Sequence, residues 1–169
     1  LALKEATGCH IIGPAREADR IPGIDRATDE GEQVSLGGHR GDVLFVGAHT
    51  AGHIAFHFPS ANALFPGDTL FAMGCGRLFE GTPEDMFQAL AKLKRLPPST
   101  RVFCAHEYTL SSARFAITVE PENAARASRY AAVQATRDKG EPTVPFTLEE
   151  DLATTPFLRA ESATELGDR

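Results

Sequence analysis

The chain has 169 residues, a net charge of −6 and a pI near 5.5, and 42% of its residues are hydrophobic. This length fits one domain, or one domain with a short helical appendage. An acidic chain without a basic stripe argues against a nucleic-acid partner, and no apolar run approaches the ~18 residues of a membrane span. A small anionic substrate is compatible with this charge, because a metal and a few local cations can outweigh the global field.

The three cysteines, Cys9, Cys75 and Cys104, are odd in number and widely spaced. They form no CxxC motif, so neither a zinc ribbon nor a disulfide framework is predicted, and a reducing cytoplasm is the expected location. The chain starts at Leu1 and not at a methionine. From this we expect a fragment, a processed chain or the ordered part of a longer protein.

Apolar patterning predicts an α/β body in the first two thirds of the chain. Strands are expected where β-branched and aromatic residues cluster or alternate, and Thr82-Pro83 followed by two acids is typical of a helix start. Residues 14–32 are predicted to be irregular. The predicted elements are a helix over 1–7, strands over 9–13, 33–36, 42–46 and 54–58, a turn over 59–62, a strand over 63–65, a glycine-rich segment over 73–77, a helix from Thr82 to Leu96, and a strand over 101–104.

The last third has a different, helical character. The alanine-rich sequence over 111–139 predicts helices, the second of which begins at Pro121-Glu122. Residues 147–150 match a capping box. We therefore predict an α/β layered body followed by a small helical region.

Three candidate metal ligands stand where apolar runs end: His49, Asp68 and His106. Asp68 lies between Phe65-Pro66 and Leu70-Phe71, where a buried carboxylate is costly unless it is paired or metal-bound. The alternative for Asp68 is a turn cap, and for each histidine an ordinary hydrogen-bonded side chain.

The remaining histidines and Cys104 have more ordinary readings. His53 and His57 are expected on a polar face or behind the ligands, His10 and His39 in structural or exposed positions, and Cys104 as a small buried hydrophobe. The three-ligand set suits Zn, Fe or Mn. Three ligands cannot fill two ions, so the residues by themselves indicate part of a site.

The chain resembles glyoxalase II, the hydroxyacylglutathione hydrolases of the metallo-β-lactamase superfamily, over essentially its whole length. The strings that carry the resemblance are His49-Thr50-Ala51-Gly52-His53-Ile54, Phe65-Pro66-Gly67-Asp68-Thr69-Leu70-Phe71, Gly74-Cys75-Gly76-Arg77-Leu78-Phe79-Glu80-Gly81-Thr82, His106-Glu107-Tyr108-Thr109, Val119-Glu120-Pro121-Glu122-Asn123, Gly140-Glu141-Pro142-Thr143-Val144-Pro145 and Pro156-Phe157-Leu158-Arg159.

The resemblance implies an αββα sandwich over residues 1–110, with its first strands missing, and a helical substrate-binding domain over 111–169. It implies hydrolysis of S-D-lactoylglutathione to glutathione and D-lactate by a hydroxide held between two divalent metal ions, with Zn favoured over Fe or Mn. The implied partner is the glutathione thioester substrate, with no nucleic acid and no membrane, and the chain is expected to be a monomer.

The resemblance also implies roles for individual residues. His49 would ligate the first metal, Asp68 would bridge both metals, and His106 would ligate the second. Tyr108 would contact glutathione, and Arg77 takes a position where the family often has a Lys or Arg for the glycine end of glutathione. Phe79 stands where some members have a glutathione-contacting Tyr.

The sequence departs from the family in two major respects. The THxHxDH metal motif is absent and would lie just before Leu1, and the basic residues that clamp glutathione would lie past Arg169. We therefore expect apolar faces of strands such as Val43–Val46 to be exposed, and a polypeptide of only these residues to be poorly soluble or metal-deficient.

Two alternatives to the hydrolase remain. One is a persulfide dioxygenase with a single iron, against which stand Glu107 after His106 and the helical tail. The other is a truncated, metal-poor and non-catalytic relative. Metal analysis and an oxygen-consumption assay with glutathione persulfide distinguish the dioxygenase from the hydrolase. An intact-mass measurement tests whether the missing segment exists, and so bears on the truncated relative.

Overall fold

The computed structural model describes residues 1–168, which form seven α-helices, ten β-strands and two short 3₁₀ helices. The 3₁₀ helices are Ala15–Arg20 and Pro59–Ala61. The strands are β1 (Ile12–Pro14), β2 (Arg26–Thr28), β3 (Gln33–Leu36), β4 (His39–Phe45), β5 (Ile54–Phe58), β6 (Ala63–Phe65), β7 (Leu70–Phe71), β8 (Gly74–Cys75), β9 (Arg101–Val102) and β10 (Phe146–Thr147). The helices are α1 (Ala2–Thr7), α2 (Pro83–Leu93), α3 (Thr109–Val119), α4 (Ala124–Asp138), α5 (Leu148–Thr154), α6 (Pro156–Arg159) and α7 (Ala163–Gly167).

A six-stranded mixed sheet organises the fold, in the order β10-β9-β6-β5-β4-β3. All neighbours are antiparallel except β6 and β9, which run parallel with Leu64 opposite Val102. Two two-stranded sheets accompany it: β1 pairs with β2, and β7 with β8. The predicted mixed α/β body with a helical C-terminal region is confirmed.

The main core lies between this sheet and α2 with the C-terminal helices. Leu64 and Val102 from the sheet meet Met86, Leu90 and Leu93 from α2, all at 2% exposure or less. Helix α2 starts as predicted, because Thr82 Oγ1 accepts the Asp85 N–H while the Asp85 carboxylate accepts the Thr82 N–H.

The opposite face of the sheet carries a smaller apolar cluster. Along β5 the even-numbered Ile54, Phe56 and Phe58 face this cluster, while Ala55 faces the main core, as the alternation predicts. The expected exposure of Val43–Val46 is not observed. Val43 and Val46 are each 1% exposed, because Val43 packs within the smaller cluster and Val46 within the main core.

Several predicted boundaries differ from the structure because non-local contacts decide them. The predicted strand over 9–13 is reduced to β1, which pairs with β2 inside the segment predicted to be irregular. Asp25 holds this arrangement by accepting the Ile11 N–H and the Lys4 ammonium. The strand at 101–104 ends at Val102, although Phe103 N still donates to Leu64 O.

The C-terminal boundaries follow local chemistry more closely. The helix predicted to open at Pro121-Glu122 begins at Ala124, since Asn123 caps it by accepting the Arg126 N–H. The predicted capping box at Thr147 and Glu150 is present. None of the helices formed by residues 1–168 has both the length and the apolar character that crossing a membrane requires.

Candidate metal centre

His49, Asp68 and His106 lie together at one edge of the main sheet. Asp68 follows β6 and His106 follows β9, and these parallel neighbours deliver both residues to the same end. Strand β5 is antiparallel to β6, so the loop that joins β4 to β5 and carries His49 lies at this end too. The strand order therefore brings three distant sequence positions to one place.

Both histidines turn Nε2 toward the Asp68 carboxylate, each toward a different oxygen. His49 Nε2 lies 3.6 Å from Oδ2, and His106 Nε2 lies 3.2 Å from Oδ1. The other ring nitrogen of His49, Nδ1, donates to the Arg77 carbonyl over 2.8 Å, so in the neutral ring the lone pair is on Nε2. This is the tautomer that a metal ligand needs.

One oxygen of the Asp68 carboxylate lacks a hydrogen-bond donor within the part of the chain that the structure describes, and a cation could compensate it. Oδ1 is buried and has no hydrogen-bond donor among residues 1–168, since His106 Nε2 is near it but not aligned for a hydrogen bond. A buried, unsatisfied carboxylate oxygen is costly unless a cation or donor compensates it. The two separations are also close to the ~3.4 Å edge of a tetrahedron with ~2.1 Å metal–ligand bonds.

The donor set therefore fits a divalent ion, although it does not enclose one. No group of three or more His, Cys, Asp or Glu side chains within residues 1–168 forms a metal cage by itself. Two imidazoles and one carboxylate leave coordination positions to be filled by other donors, which is consistent with a partial site.

The backbone of Asp68 is held firmly from two sides. His53 Nε2 accepts the Asp68 N–H over 3.0 Å, which answers the expectation that His53 supports the ligands from behind. Burial, and then repulsion from His49, lower the pKa of His53, so its ring stays neutral and able to accept. On the other side Gly76 lies so close that a Cβ there would be 1.8 Å from the Asp68 carbonyl oxygen.

A cavity of about 640 Å³ opens in front of the three candidate ligands, and Arg77, Phe79 and Tyr108 line it. Tyr108 is 49% exposed and stacks on His106 with ring centroids 4.8 Å apart. Phe79 is 68% exposed and packs on His49 with centroids 4.9 Å apart. All six residues predicted for the site thus border one cavity, with the aromatic rings against the imidazoles and the arginine beside them.

Cys75 also lines the cavity but is a poor nucleophile. Burial raises the pKa of its thiol to about 12, so almost no thiolate is present at neutral pH. Burial likewise raises the pKa of Cys104, in keeping with its predicted role as a small buried hydrophobe. His10 and His39 are exposed, as predicted. The polar-face position predicted for His57 is wrong: His57 is buried, because β5 is a central strand with apolar clusters on both faces.

The sequence did not predict two carboxylates that fix the His49 loop. Glu80 accepts the Ala51 N–H over 2.7 Å and Glu17 accepts the Gly52 N–H over 2.9 Å. Arg20 lies near both, 2.9 Å from Glu80 and 3.7 Å from Glu17. Glu80 falls within a string that carried the family resemblance, whereas nothing local marks Glu17, whose contact spans 35 positions.

Comparison with known proteins accounts for both parts of the chain. The family described as the metallo-beta-lactamase superfamily matches residues 3–106, and the one described as hydroxyacylglutathione hydrolase C-terminus matches residues 107–168. The chain belongs to the metallo-beta-lactamase superfamily. The resemblance and the fold class predicted from the sequence strings are confirmed, and membership implies a divalent metal site.

Several similar curated proteins are named hydroxyacylglutathione hydrolase. That of Hyphomonas neptunium is 56% identical over 95% of this chain and 63% of its own length. That of Methylococcus capsulatus is 56% identical over 96% and 63%, and that of a Jannaschia species 54% over 96% and 64%. The chain thus spans a little less than two thirds of the relatives that it matches.

Two solved structures share the fold. ETHE1 from Myxococcus xanthus superposes with a TM-score of 0.68 at 21% identity, over 98% of this chain and 58% of that one. A metallo-beta-lactamase from Staphylococcus aureus gives a TM-score of 0.69 at 15% identity, over 99% and 46%. At these identities the likeness concerns the fold alone.

Proposed function

We propose that this chain acts in the hydrolysis of a glutathione thioester, S-D-lactoylglutathione, to glutathione and D-lactate. The observation that carries the proposal is the Asp68 carboxylate, whose two oxygens face different histidines inside a cavity bordered by Arg77 and Tyr108. The name shared by relatives of up to 56% identity supports the same substrate.

We assign the metal ligands as the sequence strings suggest. His49 would hold one divalent ion, His106 a second, and Asp68 both, with zinc favoured and iron or manganese also compatible with nitrogen and oxygen donors. When bound, such ions lower the pKa of water and polarise a thioester carbonyl, so that hydrolysis proceeds at neutral pH.

The chain's own residues orient the ligands and the substrate. The Arg77 carbonyl holds the His49 ring, and His53 holds the backbone of Asp68, so neither ligand must reorganise during the reaction. The Arg77 guanidinium would attract a carboxylate of glutathione, and the Tyr108 hydroxyl would hydrogen-bond to the peptide. The exposed ring of Phe79 would cover the thioester and keep bulk water away from it.

We further propose the organisation and setting of the protein. The catalytic part would comprise residues 1–110 and the substrate-binding part residues 111–169, a division supported by two family matches that meet between 106 and 107. The protein would work as a monomer in the cytoplasm, where Cys9, Cys75 and Cys104, all free thiols, stay reduced.

The test is the replacement of Asp68 or His106 by alanine in the full protein loaded with zinc. Losing a group behind a ligand costs about 10- to 100-fold, so losing a ligand should lower kcat/KM for S-D-lactoylglutathione by at least about 100-fold. His39→Ala is the matched control, since His39 is exposed and contacts only the Ser60 hydroxyl through its side chain among the hydrogen bonds of the described residues.

Activity of Asp68→Ala within a few fold of the parent would refute the site assignment. Oxygen consumption with glutathione persulfide, together with one iron per chain and no thioester hydrolysis, would refute the hydrolase and favour a dioxygenase.

A further inference from the structure

A buried aspartate in the helical region reaches the hairpin that follows Asp68. Asp151 lies on α5 and is fully buried. Both of its carboxylate oxygens lie 3.2 Å from the backbone N–H of Met73, 78 positions away in the sequence. Arg129 of α4 donates to the same carboxylate and also to the Thr154 hydroxyl. One anion therefore joins two helices to a turn in the catalytic part.

The turn at Met73 requires such an anchor. Met73 has a φ of +60°, in the left-handed region that strains a non-glycine residue unless its surroundings hold it there. Its side chain is completely buried against Ala113 and Ala116 of α3. Its N–H is therefore cut off from water and needs an acceptor, which Asp151 provides.

The hairpin that turns at Met73 forms one wall of the candidate metal centre. Phe71 in β7 packs edge-on against Tyr108 at 5.3 Å and against His106 at 6.0 Å between centroids. At the base of the hairpin, Gly76 N donates to Thr69 O and Gly76 rests on the Asp68 carbonyl. A displacement of the turn would reach both the aromatic wall and the backbone of Asp68.

An ion pair is not needed to fill this volume. Two apolar side chains of similar size often replace a buried ion pair without loss of stability, because they avoid the desolvation of two charges. What apolar side chains cannot supply is an acceptor for the Met73 N–H. The feature that distinguishes Asp151 from a packing residue is therefore its hydrogen bond to the turn.

We propose that Asp151 is a positioning residue: by accepting the Met73 N–H, it fixes the 70–75 hairpin and through it the alignment of Asp68, Phe71 and His106. The effect on catalysis rests on the proposed thioester hydrolysis, whereas the effect on the hairpin does not.

The test compares two double variants, one that keeps an acceptor for the Met73 N–H and one that lacks it. Arg129→Met with Asp151→Asn removes both charges but keeps a carbonyl oxygen that can accept the Met73 N–H. Arg129→Met with Asp151→Leu has the same charge and the same branching at Cγ, with two methyl groups in place of the amide and a larger volume, but no acceptor. Amide hydrogen exchange of the 70–76 segment and kcat/KM with S-D-lactoylglutathione are measured for both, with the amides of β4 and β5 as internal reference.

We expect the Asn variant to resemble the parent in both measurements. In the Leu variant the Met73 amide should exchange about 10-fold faster, as for one lost hydrogen bond, with β4 and β5 unchanged. Its kcat/KM should fall by about 10- to 100-fold, the range found for groups that orient ligands from behind.

Equal exchange and equal activity in the two variants would overturn the proposal and leave Asp151 as an ordinary ion-pair partner. If the parent protein does not hydrolyse the thioester, the proposed function fails, and the exchange measurement still decides whether Asp151 holds the hairpin. Faster exchange without any loss of an existing activity would overturn the link from hairpin to catalysis.

Discussion

A single methyl group at Gly76 should disable the site without replacing any of the candidate ligands. In Gly76→Ala the new Cβ would lie 1.8 Å from the Asp68 carbonyl oxygen and 3.2 Å from His49 Nδ1. Real Cβ atoms essentially never approach other heavy atoms within 3.0 Å, so the two segments must separate by about 1.2 Å. The obstructing atom is backbone and cannot rotate aside.

The displacement should fall on Asp68. Gly76 N donates to Thr69 O, so the hydrogen bond beside the contact resists the separation, and Asp68, next to Thr69, must shift to relieve it. A misplacement of about 1 Å in a reacting site can cost about 100-fold, and we expect a loss of this size in kcat/KM. Overpacking should also lower the free energy of unfolding by about 1–3 kcal/mol.

The assay is hydrolysis of S-D-lactoylglutathione by the zinc-loaded variant, with zinc content and urea unfolding measured on the same preparation. Gly38→Ala is the matched control, because a Cβ at Gly38 meets nothing within 4 Å. A Gly76→Ala protein that folds and hydrolyses within about threefold of the Gly38→Ala control would refute the reasoning, because a 1 Å shift of Asp68 should cost far more.

Three further predictions concern stability. Thr82→Ala removes the capping box of α2 and should cost about 1 kcal/mol in urea unfolding with unchanged activity; an unchanged midpoint would contradict the role of the cap. Burial lowers the pKa of His57 below 6.5, so the folded protein binds this proton less readily than the unfolded chain does. The free energy of unfolding should therefore be highest above pH 6.5 and should fall as the pH drops toward the folded pKa. His57→Gln should reduce this slope, to which His53 contributes with the same sign, and an unchanged slope would assign it to other groups. Zinc at 100 times its Kd should raise the free energy of unfolding by about 2.7 kcal/mol, as measured with and without chelator, and Asp68→Ala should abolish the difference; an equal gain in that variant would mean that zinc binds elsewhere.

The sequence predicted local interactions correctly where the two partners are only a few residues apart. The cap at Thr82, the alternation of Ile54, Phe56 and Phe58, and the capping box at Thr147 depend on neighbours along the chain, and all three are present. Asp68 was identified as a candidate ligand because a carboxylate between two apolar runs needs a partner.

The sequence did not predict the strand boundaries and hydrogen bonds that depend on residues far apart along the chain. The pairing of β1 with β2 arises from contacts around Asp25, where the sequence predicted irregular structure. In the sequence, nothing distinguishes Glu17 and Asp151 from ordinary surface acids. In the structure each accepts a hydrogen bond from a backbone N–H far along the chain.

The sequence by itself determined the residue types of this site: two imidazoles and a carboxylate at the ends of apolar runs, within strings typical of one enzyme family. The tertiary structure alone decided that these three meet, because only the parallel pairing of β6 with β9 and the antiparallel run of β5 bring their ends to one edge. It also decided which oxygen of Asp68 each histidine faces and left Oδ1 buried without a donor among the described residues, the feature that fits a metal ion. The sequence gives the chemistry of each side chain, whereas strand order and packing decide which side chains lie close together in the fold.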